Sequence, residues 1–192
     1  MEPVCLRAEK CVFVMIDLQE KLAPAMSGIE PVLYEAERLL KSAAALKIPV
    51  LATEQYPKGL GATVPPLREL LGSAAALGKT SFSCFGAPDF AAALARCGRR
   101  TAVVFGIESH ICVFSTAMEL KERGYDVAVV EEACTSRNRR HHELAMRNLL
   151  AAGVAVLPVE TVVYQLLGRS GTPEFKALLP LFSRLTLLRG AG

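Results

Sequence analysis

The sequence lacks any long hydrophobic run. No apolar segment in its 192 residues approaches the roughly 20 residues that a membrane-spanning helix needs. The first residues, M-E-P-V-C-L-R-A-E-K, carry charges where a secretory signal peptide would have an apolar core. We therefore expect a cytoplasmic protein with no membrane partner.

Cysteine pairs and metal-binding spacings are also missing. The six cysteines, at positions 5, 11, 84, 97, 112 and 134, form no Cys-x-x-Cys pair and no zinc pattern. Free thiols in a reducing compartment are the simplest interpretation. We expect five of the six to be small buried hydrophobes and treat Cys112 separately below.

Three common site motifs are absent. No Gly-x-Gly-x-x-Gly follows a predicted strand, which argues against a dinucleotide cofactor, and there is no Gly-x-Ser-x-Gly elbow. The segment G-S-A-A-A-L-G-K-T at 72–80 has one residue more between its glycines than a phosphate-binding P-loop has. We therefore expect no cofactor.

The composition favours a single α/β domain over residues 1–192 that associates with itself. The hydrophobic fraction of 52% is high, and we attribute the excess to a buried parallel sheet and a subunit interface. The net charge of +3 is mild, and the one basic cluster, at 137–142, is typical of a solvated helix start. We expect a homo-oligomer, a small-molecule substrate and no nucleic-acid partner.

Short apolar runs alternate with amphipathic stretches along the chain. The predicted strands are 11–16, 49–52, 76–79, 101–105, 125–130 and 154–157. The predicted helices are 31–47, 64–71, 88–97, 112–123, 138–152, 160–167 and 173–182. This alternation predicts a three-layer α/β/α fold around a doubly wound, Rossmann-like, six-stranded parallel sheet.

The stretch T-A-V-V-F-G-I-E-S-H-I-C-V at 101–113 predicts a buried strand, a turn after Gly106 and a helix from about Cys112. A thiol at a helix N-terminus lies near unpaired N–H groups and the positive end of the helix dipole, which both favour the thiolate. Cys112 is therefore a candidate nucleophile, although a core cysteine is the alternative.

Two further chemical groups stand at carboxyl ends of predicted strands. Asp17 follows the first strand and Lys79 ends the third, so both are expected to face the crevice in which such sheets bind ligands. With Cys112 they form a working set for acyl transfer. The aspartate accepts the thiol proton, the lysine stabilises carboxylate and thiolate, and backbone N–H groups hold the oxyanion. A capping aspartate and a surface lysine are the alternatives.

Three segments resemble the isochorismatase-like cysteine hydrolase superfamily: D-L-Q at 17–19, K-T-S-F-S at 79–83 and G-I-E-S-H-I-C-V at 106–113. The resemblance extends from about Cys11 to Leu157. It implies the family's hydrolase fold and a catalytic triad of Asp17, Lys79 and Cys112. It also implies a non-proline cis peptide bond at Ile107–Glu108 and an oxyanion hole formed by the N–H groups of Glu108 and Cys112. The candidate pocket residues are Gln19, Glu54, Tyr56, Phe82 and His110.

Two departures narrow the function that the resemblance implies. Gln55 and Pro57 stand where nicotinamidases of the family have a metal-binding aspartate and histidine, so we expect no metal. Cys112 is present, whereas isochorismatases that cleave a vinyl ether lack it. The sequence is most similar to a branch whose members are named isochorismatase-domain proteins or ribonucleases. Two functions stay open: a metal-free cysteine hydrolase of a small amide or related C–N bond, and a non-catalytic binding or scaffold protein that retains the fold.

Overall fold

The computed structural model describes residues 4–72 and 76–183. Within them, six parallel strands form one sheet in the order β3-β2-β1-β4-β5-β6. The strands are β1 Cys11–Ile16, β2 Val50–Gln55, β3 Leu77–Lys79, β4 Thr101–Ile107, β5 Asp126–Thr135 and β6 Ala155–Leu157. The predicted doubly wound parallel sheet is confirmed. Its strand order reverses between β1 and β4, which makes the carboxyl ends of these strands the expected place for a ligand.

The described residues form eight α-helices, seven of which cover the two faces of the sheet. They are α1 Ile29–Leu46, α2 Pro57–Leu60, α3 Pro65–Leu71, α4 Phe90–Arg96, α5 Phe114–Glu122, α6 Arg139–Ala151, α7 Val159–Leu167 and α8 Pro173–Phe182. Helices α1, α3, α7 and α8 pack together on one face, while α4, α5 and α6 cover the other. This arrangement gives the three layers that the sequence pattern predicts.

The core follows from the composition of the two central strands. Every residue of β1 and of β4 is buried, as expected for parallel strands covered by helices on both faces. Phe13 and Phe105 meet edge to face across the β1–β4 pair, with ring centroids 6.1 Å apart. Burial of these apolar strands stabilises the part of the sheet from which the site residues extend.

Several element boundaries differ from the predicted ones by a few residues; strand β4, for example, continues past the predicted turn at Gly106 to Ile107, and three other differences lie near the site or involve polar residues inside strands. Strand β2 continues through Thr53 to Gln55, and β5 continues past the exposed pair Glu131 and Glu132 to Thr135. The helical segment that carries Cys112 begins earlier than predicted, as a π-helical turn at Ser109–Val113 that runs into α5.

The cysteines are only partly as expected, since Cys5 is exposed and Cys97 is half-buried, whereas Cys11, Cys84 and Cys134 are buried. The predicted single domain over 1–192 includes residues 1–3, 73–75 and 184–192, which lie outside the described residues. Of the P-loop-like segment, 73–75 lie outside and 77–79 form β3. Within 4–72 and 76–183, no helix is both long and apolar enough to cross a membrane.

Gly106 lies opposite Ile16 in the pairing of the two central strands. Its φ is +129°, and a Cβ atom on it would lie 2.0 Å from the carbonyl oxygen of Ile16. We therefore expect Gly106→Ala to lower the free energy of unfolding by more than about 3 kcal/mol, because backbone must move to relieve the clash. Urea denaturation measures the loss.

Gly98 supplies the matched control, because its φ is also positive, at +62°, but a Cβ atom added to it would have no neighbour within 4 Å. Gly98→Ala should lose only the conformational term of about 1–2 kcal/mol. Equal losses for the two variants would show that the close approach at Gly106 is not what demands glycine.

Candidate active site

The structure brings Asp17, Lys79 and Cys112 together at the carboxyl edge of the sheet. Asp17 follows β1 in a left-handed conformation with φ 53°, and Lys79 is the last residue of β3. Cys112 lies in the π-helical turn that follows β4. The three side chains therefore lie at the ends of β3, β1 and β4, and β2 lies between β3 and β1 in the sheet.

The Lys79 ammonium group lies between the carboxylate and the thiol. Its Nζ is 2.6 Å from Asp17 Oδ2 and 3.5 Å from Cys112 Sγ. The side chains of Lys79 and Asp17 are both 0% exposed. A fully buried ion pair is tolerated only when further hydrogen bonds satisfy its remaining donors and acceptors, so the neighbours of this pair matter.

Gln55 is one of those neighbours, and the sequence analysis missed it. Lys79 Nζ donates to Gln55 Oε1 at 2.6 Å and approaches the Ser81 carbonyl oxygen at 3.3 Å. Gln55 Nε2 in turn donates to the Thr80 carbonyl oxygen at 2.9 Å. The sequence analysis considered Gln55 only as a replaced metal ligand. The sequence carried no signal for this contact, because the predicted second strand ended at residue 52 and the register that pairs Gln55 with Lys79 appears only in the folded sheet.

Thr53 is the second missed residue. Its hydroxyl donates to Asp17 Oδ1 at 2.8 Å, while the other carboxylate oxygen accepts from Lys79. Thr53 pairs with Ile16, the residue before Asp17, and is 0% exposed. Both oxygens of the Asp17 carboxylate therefore have a partner.

The Cys112 thiol is harder to ionise than the sequence analysis expected. Burial raises its pKa to about 12, and the charge of Asp17 adds to the effect, whereas Lys79 lowers the pKa. Asp17 also raises the pKa by accepting a hydrogen bond from the thiol. Burial and the carboxylate thus outweigh the lysine, and together they favour the protonated thiol.

The turn before Cys112 is tied to the loop and helix that follow β5. The peptide bond between Ile107 and Glu108 is cis. The buried Glu108 carboxylate accepts from the backbone N–H of Arg137 at 3.0 Å. Ser109 Oγ is 2.9 Å from Nδ1 of His142. The N–H groups of Glu108 and Cys112 stay predicted oxyanion donors.

Two of the predicted pocket residues hydrogen-bond the loop that follows β2, and their contact with a substrate stays a prediction. Gln19 is 0% exposed, and its amide nitrogen donates to the carbonyl oxygens of Gln55 and Gly61. The Glu54 carboxylate accepts from the backbone N–H and the hydroxyl of Thr63. Gln19 and Glu54 therefore hold the loop after β2 in place, which the sequence pattern could not distinguish from substrate contact.

The other three predicted pocket residues differ in their surroundings. Tyr56 lines a hollow of about 430 Å³ together with Pro88 and Lys79 of the candidate site, and Phe82 is 59% exposed. His110 bonds the hydroxyl of Ser136 through Nδ1 and lines a different hollow of about 280 Å³, beside α6. Their contact with a substrate stays a prediction.

The part of the chain that the structure describes contains no group of three or more His, Cys, Asp or Glu side chains arranged to hold a metal ion. At the place of the family's metal motif, the Gln55 amide is committed to Lys79 and Thr80. A metal-free site stays a prediction.

Comparisons with known proteins show the family and the fold of the chain. Residues 11–161 match the family model described as the isochorismatase domain. The chain is 38% identical over 168 residues to isochorismatase domain-containing protein 1 of Danio rerio, covering 87% of this chain but only 59% of that protein. It is 34% identical over 171 residues to isochorismatase domain-containing protein 2 of Homo sapiens, covering 88% of this chain and 82% of that protein.

Two solved structures are similar over nearly the whole chain. The MAR1 ribonuclease from Caenorhabditis elegans superposes with a TM-score of 0.88 at 33% identity, covering 94% of each chain. The YcaC gene product from Escherichia coli, described as an octameric hydrolase of unknown specificity, gives a TM-score of 0.88 at 19% identity, covering 100% of each chain. At that identity the second likeness shows the fold alone.

The electrostatics around Cys112 predict opposite effects of removing its two charged neighbours. Asp17→Asn removes the charge and the acceptor that raise the thiol pKa, so alkylation of Cys112 by iodoacetamide should become faster at neutral pH. Lys79→Ala removes the cation that lowers the pKa, so the alkaline limb of the alkylation profile should move to higher pH. Mass spectrometry at Cys112 across pH measures both changes.

Lys176→Ala is the matched control, because Lys176 is an exposed cation on α8, which among the described residues packs against α1 and α7 and not against the site. Its profile should coincide with that of the wild type. A Lys79→Ala profile that also coincides with the wild type would show that Lys79 does not act on the thiol.

Proposed function

The chain belongs to the isochorismatase family, and we propose that it is a cysteine hydrolase that cleaves a small amide or related C–N bond. The observation that carries the proposal is the buried Lys79 ammonium group, which contacts both the Asp17 carboxylate and the Cys112 thiol. An acid, a cation and a thiol in mutual contact form the nucleophile and base arrangement of covalent acyl transfer.

The first half of the reaction forms a thioester. Cys112 Sγ attacks the amide carbon while its proton passes to Asp17, and Lys79 stabilises the negative charge on the sulfur. The N–H groups of Glu108 and Cys112 hold the carbonyl oxygen as it becomes negative. Asp17 then gives the proton to the leaving nitrogen, the C–N bond breaks and the amine departs.

The second half regenerates the enzyme. Water attacks the thioester carbon as Asp17 removes one of its protons, and the C–S bond breaks. The carboxylic acid product leaves, and Cys112 recovers its proton from Asp17. No metal, nucleotide or redox cofactor enters either half.

The high pKa of Cys112 fits a nucleophile that ionises only during attack. A thiolate from a thiol of high pKa is intrinsically more nucleophilic than one of low pKa. A thiol that stays protonated in the free enzyme also reacts less with other electrophiles. Asp17, which accepts a hydrogen bond from the thiol, can take its proton during attack. In this scheme Asp17 supplies the activation that the helix N-terminus does not.

The environment of the thiol favours a small substrate over a nucleic acid. Cys112 is 6% exposed, and the partners that it needs are fully buried. The name ribonuclease belongs to the Caenorhabditis elegans protein, and we propose no nucleic-acid or membrane partner for this chain. We place the protein in the cytoplasm.

Replacement of the thiol tests the function. In a single-turnover screen of small amides, Cys112→Ala should lower hydrolysis of any accepted substrate at least about a thousandfold while keeping a native circular dichroism spectrum. Cys5→Ala, which removes an exposed thiol, is the control and should hydrolyse normally. A Cys112→Ala protein that retains most of its turnover would remove Cys112 from the mechanism. A wild type that binds but never hydrolyses would support the binding or scaffold alternative.

We also propose that the protein is a homo-oligomer. Large apolar side chains are exposed on α6, α7 and α8, including Leu150, Tyr164 and Leu179. The Escherichia coli protein of the same fold is described as octameric. Light scattering at micromolar concentration should give a multiple of the 20.6 kDa chain mass, and a mass of 20.6 kDa would contradict the proposal.

A further inference from the structure

A buried hydrogen-bond chain lies behind the Asp17 carboxylate. Cys84 begins a short helical turn, Cys84–Gly86, and is 0% exposed. Its sulfur lies 3.6 Å from the hydroxyl of Thr53 and 3.3 Å from the hydroxyl of Thr116. Thr53 in turn contacts Asp17, so that three side chains from β2, the Cys84 turn and α5 connect the carboxylate to the interior.

Each hydroxyl or thiol in this series of hydrogen bonds has one proton to donate, and this determines the direction of each hydrogen bond. The backbone N–H of Cys84 donates to Thr116 Oγ1 at 3.0 Å, and the Thr116 hydroxyl donates its single proton to Cys84 Sγ. The single proton of Thr53 goes to Asp17 Oδ1, because an ionised carboxylate only accepts. The Cys84 thiol is therefore the donor in its contact with Thr53.

We propose that Thr53 is a positioning residue that sets how strongly Asp17 holds the thiol proton of Cys112, with Cys84 and Thr116 fixing the direction of its hydroxyl. The inference rests on the proposed function, in which Asp17 receives that proton. A hydrogen bond donated to an ionised carboxylate stabilises the ionised form and so weakens its affinity for a proton.

In the described residues, Lys79 and Cys112 are the titratable groups in direct contact with the Asp17 carboxylate. Lys79 reaches Oδ2 from β3, and the thiol of Cys112 approaches from the π-helical turn. The Cys84 thiol lies behind Thr53, and burial raises its pKa to about 11, so it is neutral at neutral pH. Thr53 therefore supplies the hydrogen bond to Oδ1 without adding charge.

A valine at position 53 has nearly the shape of threonine but no hydroxyl. Loss of the hydroxyl strengthens the affinity of the carboxylate for a proton, so that the proton shared between Asp17 and Cys112 rests on the carboxylate more often. The thiolate population rises in proportion. Faster alkylation is the expected result, and a residue that merely fills space would not produce it.

The experiment compares Thr53→Val with Thr53→Ser, which keeps the hydroxyl. Cys112 is alkylated with iodoacetamide across neutral pH and quantified by mass spectrometry. Thr53→Val should react about three- to tenfold faster than the wild type at neutral pH, and Thr53→Ser within about twofold of it. Cys11, which is 0% exposed, must stay unlabelled as the check on folding.

A folded Thr53→Val protein that alkylates at the wild-type rate throughout would overturn the inference. If Cys11 becomes labelled because Thr53→Val does not fold, Cys84→Ala decides in its place. Removal of the thiol takes away the hydrogen bond that Thr53 accepts, and because hydrogen bonds in a chain strengthen one another, Thr53 then donates less strongly to Asp17, which should speed alkylation by about twofold. A folded Cys84→Ala protein with an unchanged rate would overturn the inference.

Asp17→Asn separates this inference from the function on which it rests. If Asp17→Asn speeds alkylation and the changes at Thr53 and Cys84 do not, the inference about Thr53 fails and the proposed function stands. If Asp17→Asn also leaves the rate unchanged, Asp17 does not hold the thiol proton, and both fail.

Discussion

The buried ion pair between Lys79 and Asp17 constrains the rest of the site. Removing two charges from water costs several kcal/mol for each ion, so the pair persists only where all its hydrogen-bonding groups are satisfied. Gln55 and the Ser81 carbonyl oxygen accept the remaining hydrogen bonds of the Lys79 ammonium group, and the Thr53 hydroxyl donates a hydrogen bond to the second oxygen of the Asp17 carboxylate. Three neighbouring strands must therefore end in register, because a shift of any one would leave a buried charge without a partner.

The same pair explains why the thiol stays protonated. A lysine that already neutralises a carboxylate at 2.6 Å has less effect on a sulfur at 3.5 Å, and burial acts against the thiolate. In the proposed chemistry, the place of one proton among these side chains determines the reactivity of the sulfur. This arrangement makes proton transfer within the site, and not a permanently ionised cysteine, the basis of the proposed chemistry.

The sequence was sufficient for the apolar elements and for the residues at strand ends. Strand β1 occupies its predicted range of 11–16, and α8 occupies 173–182, because both have patterns that burial alone explains. The placement of Asp17, Lys79 and Cys112 at one edge follows from the parallel topology.

The sequence could not reveal the polar end of β2. Thr53 and Gln55 have the composition of a loop, and they are ordered in a strand because each bonds a buried charge on a neighbouring strand. The hydrogen-bonding role of Cys84 was missed for a similar reason. Its contacts with Thr53 and Thr116 come from residues that are distant in the sequence, so the sequence around Cys84 does not distinguish it from a cysteine in an apolar core.

The most direct test of the account is the detection of the covalent intermediate. The protein is mixed with an activated acetate ester, quenched within its first turnover and digested for mass spectrometry. The account predicts an acetyl group on Cys112 that forms and then decays as acetate appears, with far less label on the exposed thiol of Cys5. Hydrolysis of the ester with no acyl group on Cys112 at any time, or an acyl group that resides on another residue and turns over from there, would contradict it.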